Sequence, residues 1–335
     1  MFMNEEKAID SFQNLGPDEI LNAIESTGLA CDGCVFALNS YENRVYQIGI
    51  NESEPVIAKF YRPARWSDEA IREEQQFTIQ LAEHEIPVIG PVVDEKGETL
   101  HQYENFRFSL YPRRGGRPPE LDNPEHLQQL GRFMARIHNV SATKPYQHRP
   151  TLDPETFGTD CNIYLLENGF IPTDLVTAYR TLTEDIMKRV YQCYGRAGDV
   201  SIIRLHGDCH HGNILWRDDS PYILDFDDAR MGPAIQDLWM FLSGDREYMT
   251  ERLADLLEGY LEFRDFNVSE LYLIEALRSL RIMHHSAWLA HRWSDPAFPM
   301  AFPYFNTQQY WEDHILSLRE QAALMDELPL QWDRF

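Results

Sequence analysis

The feature that most restricts this chain lies at 206–228, where HGDCHHGNILWRDDSPYILDFDD sets three oxygen-bearing side chains on a short strand and loop pattern. Asp208 and Asn213 stand five residues apart on a loop ahead of the apolar run Ile214-Leu215-Trp216. Twelve residues after Asn213, a second apolar run, Tyr222-Ile223-Leu224, ends in Asp225. Loops at strand ends let such side chains converge while the strands hold them. Phosphoryl transfer calls for this set: a carboxylate to accept or orient a hydroxyl proton, and hard oxygens to hold magnesium on nucleotide phosphates. Asp208 suits the first task. The amide of Asn213 and the carboxylate of Asp225 suit the second, so Asp208 and Asp225 are the expected catalytic pair, with Asn213 and Asp225 as metal ligands.

The rest of the chain divides in two. A helix is expected from Pro17 to about Thr27, with proline in its first turn and Gly28 past its end. VFALNSYENRVYQIGI reads as a hairpin about the turn 39–43, and Pro55 to Tyr61 as a third strand carrying Lys59. Ser67 is placed to cap a helix running to about Glu85, closed by Pro87. Pro91 to Tyr111 reads as two more strands, with a turn at Glu95-Lys96-Gly97. The run PRRGGRPP at 112–119 then breaks the pattern as a connector. Beyond it, helices are expected at Pro124–Val140, Pro172–Tyr194, Pro233–Leu242, Tyr248–Phe263, Ser269–Trp293 and Thr307–Leu324. The expectation is an α+β chain: a strand-rich N-lobe over 1–112, a hinge at 113–120 and a helical C-lobe over 121–335.

HGDCHHGNIL followed by LDFDDA resembles the aminoglycoside phosphotransferase and choline kinase group, which shares the bilobal protein-kinase fold. The longer phrases LNSYENRVYQ, KFYRP, RLHGDCHHGNILWRD, DDARMGPAIQDLWM and HRWSDPAFP are similar to the bacterial stress response kinase A family, from about Asn39 to Pro303. The resemblance implies a cytoplasmic serine/threonine protein kinase that uses ATP and magnesium. It implies Asp208 as proton acceptor, Asn213 and Asp225 as magnesium ligands, and Ser40 beside the ATP phosphates. Lys59 matches the lysine that contacts the α- and β-phosphates. A glutamate on the next helix would be its partner, with Glu74 the choice and Glu73 the reserve, since neighbouring helix positions face about 100° apart. The chain near Tyr111 and Pro112 would offer backbone groups to adenine. Asp237 resembles a structural carboxylate that secures the catalytic loop.

Three departures from eukaryotic protein kinases stand out. The nucleotide turn has no GxGxxG, and glycine, not arginine, precedes Asp208. A handful of residues separate Asp225 from Pro233, too few for a long activation loop. An enzyme competent as folded is expected, without switching by loop phosphorylation.

Composition narrows the partners. With 54 acidic residues against 30 basic ones, the formal charge of −24 disfavours nucleic acid and anionic membrane. No stretch approaches the roughly 20 apolar residues of a membrane helix. The opening MFMNEEKAID has neither the basic start nor the apolar centre of a signal peptide. Five cysteines, odd in number and sparse, argue for a reducing compartment, and the lone pair Cys31 and Cys34 reads as ordinary thiols. No heptad seam demands assembly, so a monomer is expected. His206 reads as a packing element, His210 and His211 as loop residues, and His284, His285 and His291 as part of a core-facing helix with Leu277, Leu280 and Trp288. Arg292, Trp293 and Asp295 end that helix in a turn that could line an acceptor groove. The acceptor stays open between a protein hydroxyl and a small alcohol or amine-bearing metabolite, because both chemistries handle ATP alike.

Overall fold

The computed structural model describes residues 12 and 14–332. The N-terminal decapeptide behind the signal-peptide expectation lies outside the described residues. In chain order the elements are α1 (Pro17–Glu25), β1 (Cys31–Ala37), β2 (Arg44–Ile50), β3 (Val56–Phe60), α2 (Asp68–Glu83), β4 (His101–Tyr103), β5 (Phe106–Pro112), α3 (Pro124–Ser141), α4 (Asp160–Glu167), α5 (Val176–Ala197), β6 (Ile202–Leu205), β7 (Ile214–Arg217), β8 (Ser220–Ile223), β9 (Arg230–Pro233), α6 (Gln236–Trp239), α7 (Arg246–Tyr260), α8 (Ile274–His291), α9 (Ala297–Ala301) and α10 (Gln308–Asp326). They form two compact units. One comprises 1–119, 146–149 and 212–228; the other comprises 120–145, 150–211 and 229–335.

The first unit is built on a five-stranded antiparallel sheet in the order β1-β2-β3-β5-β4. Ile20, Ala23 and Ile24 of α1 join Ile48, Ala58, Phe60, Phe108 and Leu110 in its core, where Phe60 stacks on Phe108 at 5.2 Å. Successive strand residues face opposite ways. With Ala58 and Phe60 committed to that core, Lys59 turns to the other side, and it is buried there too. The Ser67 hydroxyl accepts the Ala70 N–H and starts α2 as expected. Glu85 ends the turn beyond α2 with φ of 55°.

The two strands expected between Pro91 and Tyr111 are present as β4 and β5, but the turn that joins them is corrected. The turn at 94–97 exists, with Asp94 Oδ1 accepting the N–H groups of Lys96 and Glu98. Its flanks close on one backbone bond, from Asp94 N–H to the Glu98 carbonyl at 2.9 Å, without forming strands, and the strands that do pair meet at Glu104-Asn105. Val92 and Val93 are largely exposed, so no burial draws that run into the sheet. The connector is also less loose than its composition suggests. Arg117 and Trp216 exchange two backbone hydrogen bonds, tying it to β7, and a Cβ on Gly116 would lie 2.8 Å from that of Leu215. The β7–β8 hairpin is tied to the chain after α2, where Ile89 N–H donates to the Ile223 carbonyl.

The second unit is mainly helical, with the two-stranded antiparallel pair β6 and β9 inside it. Expected helices appear as α3, α5, α7, α8 and α10, with shifted ends. Over Pro233–Leu242 only α6 is helical, because 230–233 give their backbone groups to β6 as β9. The stretch from Ser269 opens as a 3-10 turn over Val268–Leu273, capped by Asn267, before α8 begins. Helix α4 was not expected. Buried Arg204 on β6 donates to the carbonyls of Val140 and Ser141 at the end of α3, where helix carbonyls lack partners of their own. Leu277 and Leu280 are buried as expected, while His284 stacks on Phe157 at 4.2 Å and His291 on Tyr164 at 3.5 Å.

Helices α3 and α7 cross at two glycines. A Cβ on Gly131 would lie 2.0 Å from the Leu256 carbonyl oxygen, and one on Gly259 would lie 1.8 Å from that of Gln128. Backbone cannot swing aside as a side chain can, so overpacking here sits at the costly end of its range. Gly259→Ala should lose about 3 kcal/mol and lower the melting temperature by roughly 6 °C or more, measured by circular dichroism. An unchanged melt would refute the close crossing.

Candidate active site

In the sheet-based unit, a cluster of charged and polar side chains gathers on the side of β3 that faces away from α1. Lys59 Nζ lies 2.7 Å from Asp225 Oδ1 and 3.2 Å from Asp227 Oδ1. Burial pushes the Lys59 ammonium down, but the Asp225 and Asp227 carboxylates outweigh it and hold it well above the ordinary lysine value. The Arg65 guanidinium binds Asp227 through Nη1 and Asp228 through Nη2, and Asn43 Nδ2 donates to Asp227 Oδ2 at 3.0 Å. Burial raises the Asp227 carboxyl, and Arg65 and Lys59 pull it below the ordinary range. Arg149 donates to the Asp227 carbonyl at 2.6 Å and to that of Ala70 at 2.9 Å, so one side chain ties α2 to the 225–228 loop.

Asp225 has φ of 62°, a left-handed conformation that aspartate tolerates better than most residues. Beside it, Leu224 N–H donates to the Asn213 carbonyl at 3.1 Å, holding the two proposed metal-ligand positions in one local frame. Both offer hard oxygen donors, and the Asp225 side chain is 49% exposed. Among the described residues no three His, Cys, Asp or Glu gather as a protein cage. That donor set fits magnesium, which takes one or two protein oxygens and completes its shell with phosphates and water.

The expected partnership of Lys59 with Glu74 is not formed. Lys59 is paired to Asp225 and Asp227 instead. Glu74 is buried at 3% exposure; its Oε1 accepts the Thr78 hydroxyl at 3.2 Å, and its Oε2 has no hydrogen bond. Burial raises its carboxyl against the pull of Arg149 and Lys59. Glu73 points elsewhere and accepts the N–H groups of Gln147 and His148. Of the two glutamates, Glu74 is therefore the one near Lys59. Ser40 is half-buried in the bend between β1 and β2. Tyr111 pairs with Ile57 across β5 and β3, and its hydroxyl meets that of Tyr61 at 3.0 Å. Gln75 donates to Tyr61 and Ser109 and extends this buried network.

In the helical unit, β6 runs into His206, Gly207 and Asp208. Asp237 is fully buried, and its two oxygens accept the His206 and Gly207 N–H groups, each at 2.8 Å. That is the structural carboxylate expected from the sequence. Gln236 Nε2 donates to the Gly207 carbonyl at 3.1 Å, and His206 Nδ1 accepts the Asp208 N–H at 3.3 Å. The Asp208 carboxylate is 24% exposed, with Arg281 Nη1 2.6 Å from Oδ1 and His210 Nε2 3.6 Å from Oδ2. Glu270 accepts the Ile235 N–H at 2.9 Å and so fixes the chain just ahead of Asp237.

A sequence profile of a phosphotransferase enzyme family, APH, matches residues 35–273. The chain belongs to that family. Stress response kinase A of Shigella flexneri is 41% identical over 321 residues, 96% of this chain and 97% of that protein. The serine/threonine protein kinase RdoA of Salmonella typhimurium is 39% identical over the same shares. Among solved structures, the amicoumacin kinase hAmiN in complex with AMP-PNP, Ca2+ and Ami superposes with a TM-score of 0.71 at 21% identity, covering 93% of this chain and 95% of that one. A microcompartment-associated aminopropanol kinase gives 0.70 at 16% identity, covering 92% and 96%. These two share the fold. The kinase-like α+β class read from the sequence is the one found, and the enzyme is an ATP-dependent phosphotransferase.

Sequence reasoning missed Arg65, Asn43, Asp227, Arg149 and Arg281. Asp227 lies within the LDFDDA phrase and Asn43 within LNSYENRVYQ, so both had a local signal. Arg65, Arg149 and Arg281 carry none.

Two outcomes follow from the loop supports. Asp237→Ala leaves two buried N–H groups without acceptors, at about 1–3 kcal/mol each, and should lower unfolding free energy by about 2–5 kcal/mol in urea. Asp237→Asn, which keeps one acceptor oxygen, should lose about half of that; equal losses would refute the paired-acceptor role. Burial pushes the Glu270 carboxyl from an ordinary 4.5 up to about 7. Below pH 4.5 it is protonated in folded and unfolded chains alike. As pH climbs towards about 7 the unfolded chain ionises first, so the folded state loses stability through that window. Glu270→Gln should flatten the decline between about pH 5 and 8 by up to about 3 kcal/mol. Parallel stability curves for the two proteins would refute it.

Proposed function

We propose that this APH-family enzyme moves the γ-phosphoryl group of ATP onto serine or threonine hydroxyls of proteins, in a bacterial stress response and in the cytoplasm. The observation that carries the protein acceptor is the alignment over 96% of the chain with relatives named stress response kinase A and serine/threonine protein kinase RdoA. Intact Asp208, on a loop pinned by Asp237, supports catalysis over a binding-only role.

In this reading Asp208 Oδ2 takes the proton of the attacking hydroxyl, while Arg281 holds Oδ1 and so the plane of the carboxylate. Asn213 and Asp225 would hold magnesium, which would supply positive charge to the transferred group. Lys59 leaves the two aspartates for the α- and β-phosphates, and buried Glu74 stands ready to receive its charge from the other side. Ser40 sits beside the phosphates, and the backbone near Tyr111 receives adenine. The working division along the chain is 1–112, 113–120 and 121–335, with 146–149 and 212–228 packing in the sheet-based unit, and the protein acts as a monomer.

Replacing Asp208 by alanine should lower the turnover of radiolabelled ATP onto protein by about 100- to 10,000-fold. Calorimetric ATP affinity should stay within about threefold, since the residue addresses the acceptor. Turnover equal to wild type removes Asp208 from the chemistry. Prompt labelling of an alcohol metabolite with no protein labelled would move the acceptor to small molecules.

A further inference from the structure

The charges around Asp208 run against those of the chain as a whole. Acidic residues outnumber basic ones by 54 to 30. Within the helical unit, however, the carboxylate of Asp208 is met by a guanidinium and an imidazole. Arg281 Nη1 lies 2.6 Å from one oxygen, His210 Nε2 lies 3.6 Å from the other, and the His211 ring is centred 6.1 Å from that of His210. Arg281 and His285 are four apart on α8 and share a helix face. His285 stacks on Trp288 at 5.6 Å, which sets its ring along the same helix.

An acceptor hydroxyl has to come to Asp208, so the groups flanking that hydroxyl come to Arg281. The Arg281 side chain is 44% exposed although its Nη1 is engaged. A guanidinium carries five N–H donors in a planar fork that suits a carboxylate or phosphate. Charges spread over the rest of the surface are screened beyond about 8 Å at physiological salt, whereas Arg281 acts at contact distance. The local group therefore outweighs the global excess in choosing what sits beside the hydroxyl. An amine or lysine there would meet a like charge.

We propose that Arg281 reads an anionic group next to the acceptor hydroxyl, and that the preferred substrates are serine or threonine residues in acidic segments. This deepens the protein-kinase reading above and rests on it. Arg281 is then both a positioning residue for Asp208 and the residue that sets acceptor preference.

The test compares three synthetic serine peptides of one length, flanked by glutamate, alanine or lysine, on wild type, Arg281→Lys, Arg281→Gln and Arg281→Glu. Wild type should show a kcat/KM about tenfold or more higher for the glutamate peptide than for the lysine peptide. Arg281→Lys should keep that order, Arg281→Gln should shrink the ratio towards unity, and Arg281→Glu should invert it. Most of the change should appear in KM for the peptide. A ratio that stays constant while all peptides slow together would mean that Arg281 only orients Asp208, and it overturns the proposal. Because the readout is a ratio within each protein, a partly unfolded variant does not mimic inversion, and melting curves identify a collapsed one. Should Arg281→Glu fail to fold, the Arg281→Gln ratio decides. Peptides labelled without regard to flanking charge defeat this inference alone. No peptide labelled, with an alcohol metabolite labelled instead, defeats the protein-kinase reading itself.

Discussion

An ammonium group taken out of water without a counter-charge costs several kcal/mol, and the sheet of the first unit buries one at Lys59. Much of that unit's polar architecture answers this requirement. Asp225 and Asp227 neutralise the ammonium, and because Asp227 is itself buried, Arg65 and Asn43 neutralise and hold it in turn. Arg65 also approaches Glu42 at 3.7 Å, so the bend between β1 and β2 and the 225–228 loop meet at one guanidinium. Arg149 closes the set by donating to the carbonyls of Asp227 and Ala70. Segments of very different sequence position are thereby locked to one charge, and those segments bear Ser40, Lys59, Glu74 and Asp225.

The helical unit solves its buried carboxylates differently. Asp237 and Glu270 take backbone N–H groups from His206, Gly207 and Ile235. Hydrogen bonds of this kind fix the path of a main chain more tightly than a flexible cation would, since both partners are short. The 206–208 loop inherits a defined course, and Asp208, two residues past the first clamped N–H, leaves it at a set angle. A loop shaped by the protein's own interior needs no phosphate on a mobile segment to order it. The stretch between Asp225 and Pro233 is correspondingly short.

Much of this was legible in the sequence where the cause is local. Ser67 capping α2, the alternation that turns Lys59 away from Ala58 and Phe60, and the hairpin about 39–43 each depend on neighbours within a few positions. The Asp237 clamp was readable too, through the family phrase that contains it. The run from Pro91 misled because valines at 92 and 93 have strand propensity and no burial to realise it. The segment from Pro233 misled because a partner strand, β6, claims 230–233 before a helix can. Lys59 found Asp225 and Asp227 ahead of Glu74, a choice among three carboxylates decided by geometry across more than 160 positions.

By itself the sequence determined the chemistry: which oxygens and which cation are present, their order along the chain, and the strands and helices that short-range propensity and periodicity dictate. Only the tertiary structure decided which charge neutralises which, and that it is Arg281, a residue 73 positions beyond Asp208 and unremarkable on its helix, that stands against the Asp208 carboxylate. The physical reason is range. Capping, alternation and turn formation act between neighbours along the chain, whereas Coulomb attraction and burial act between neighbours in space, and folding alone makes distant residues neighbours.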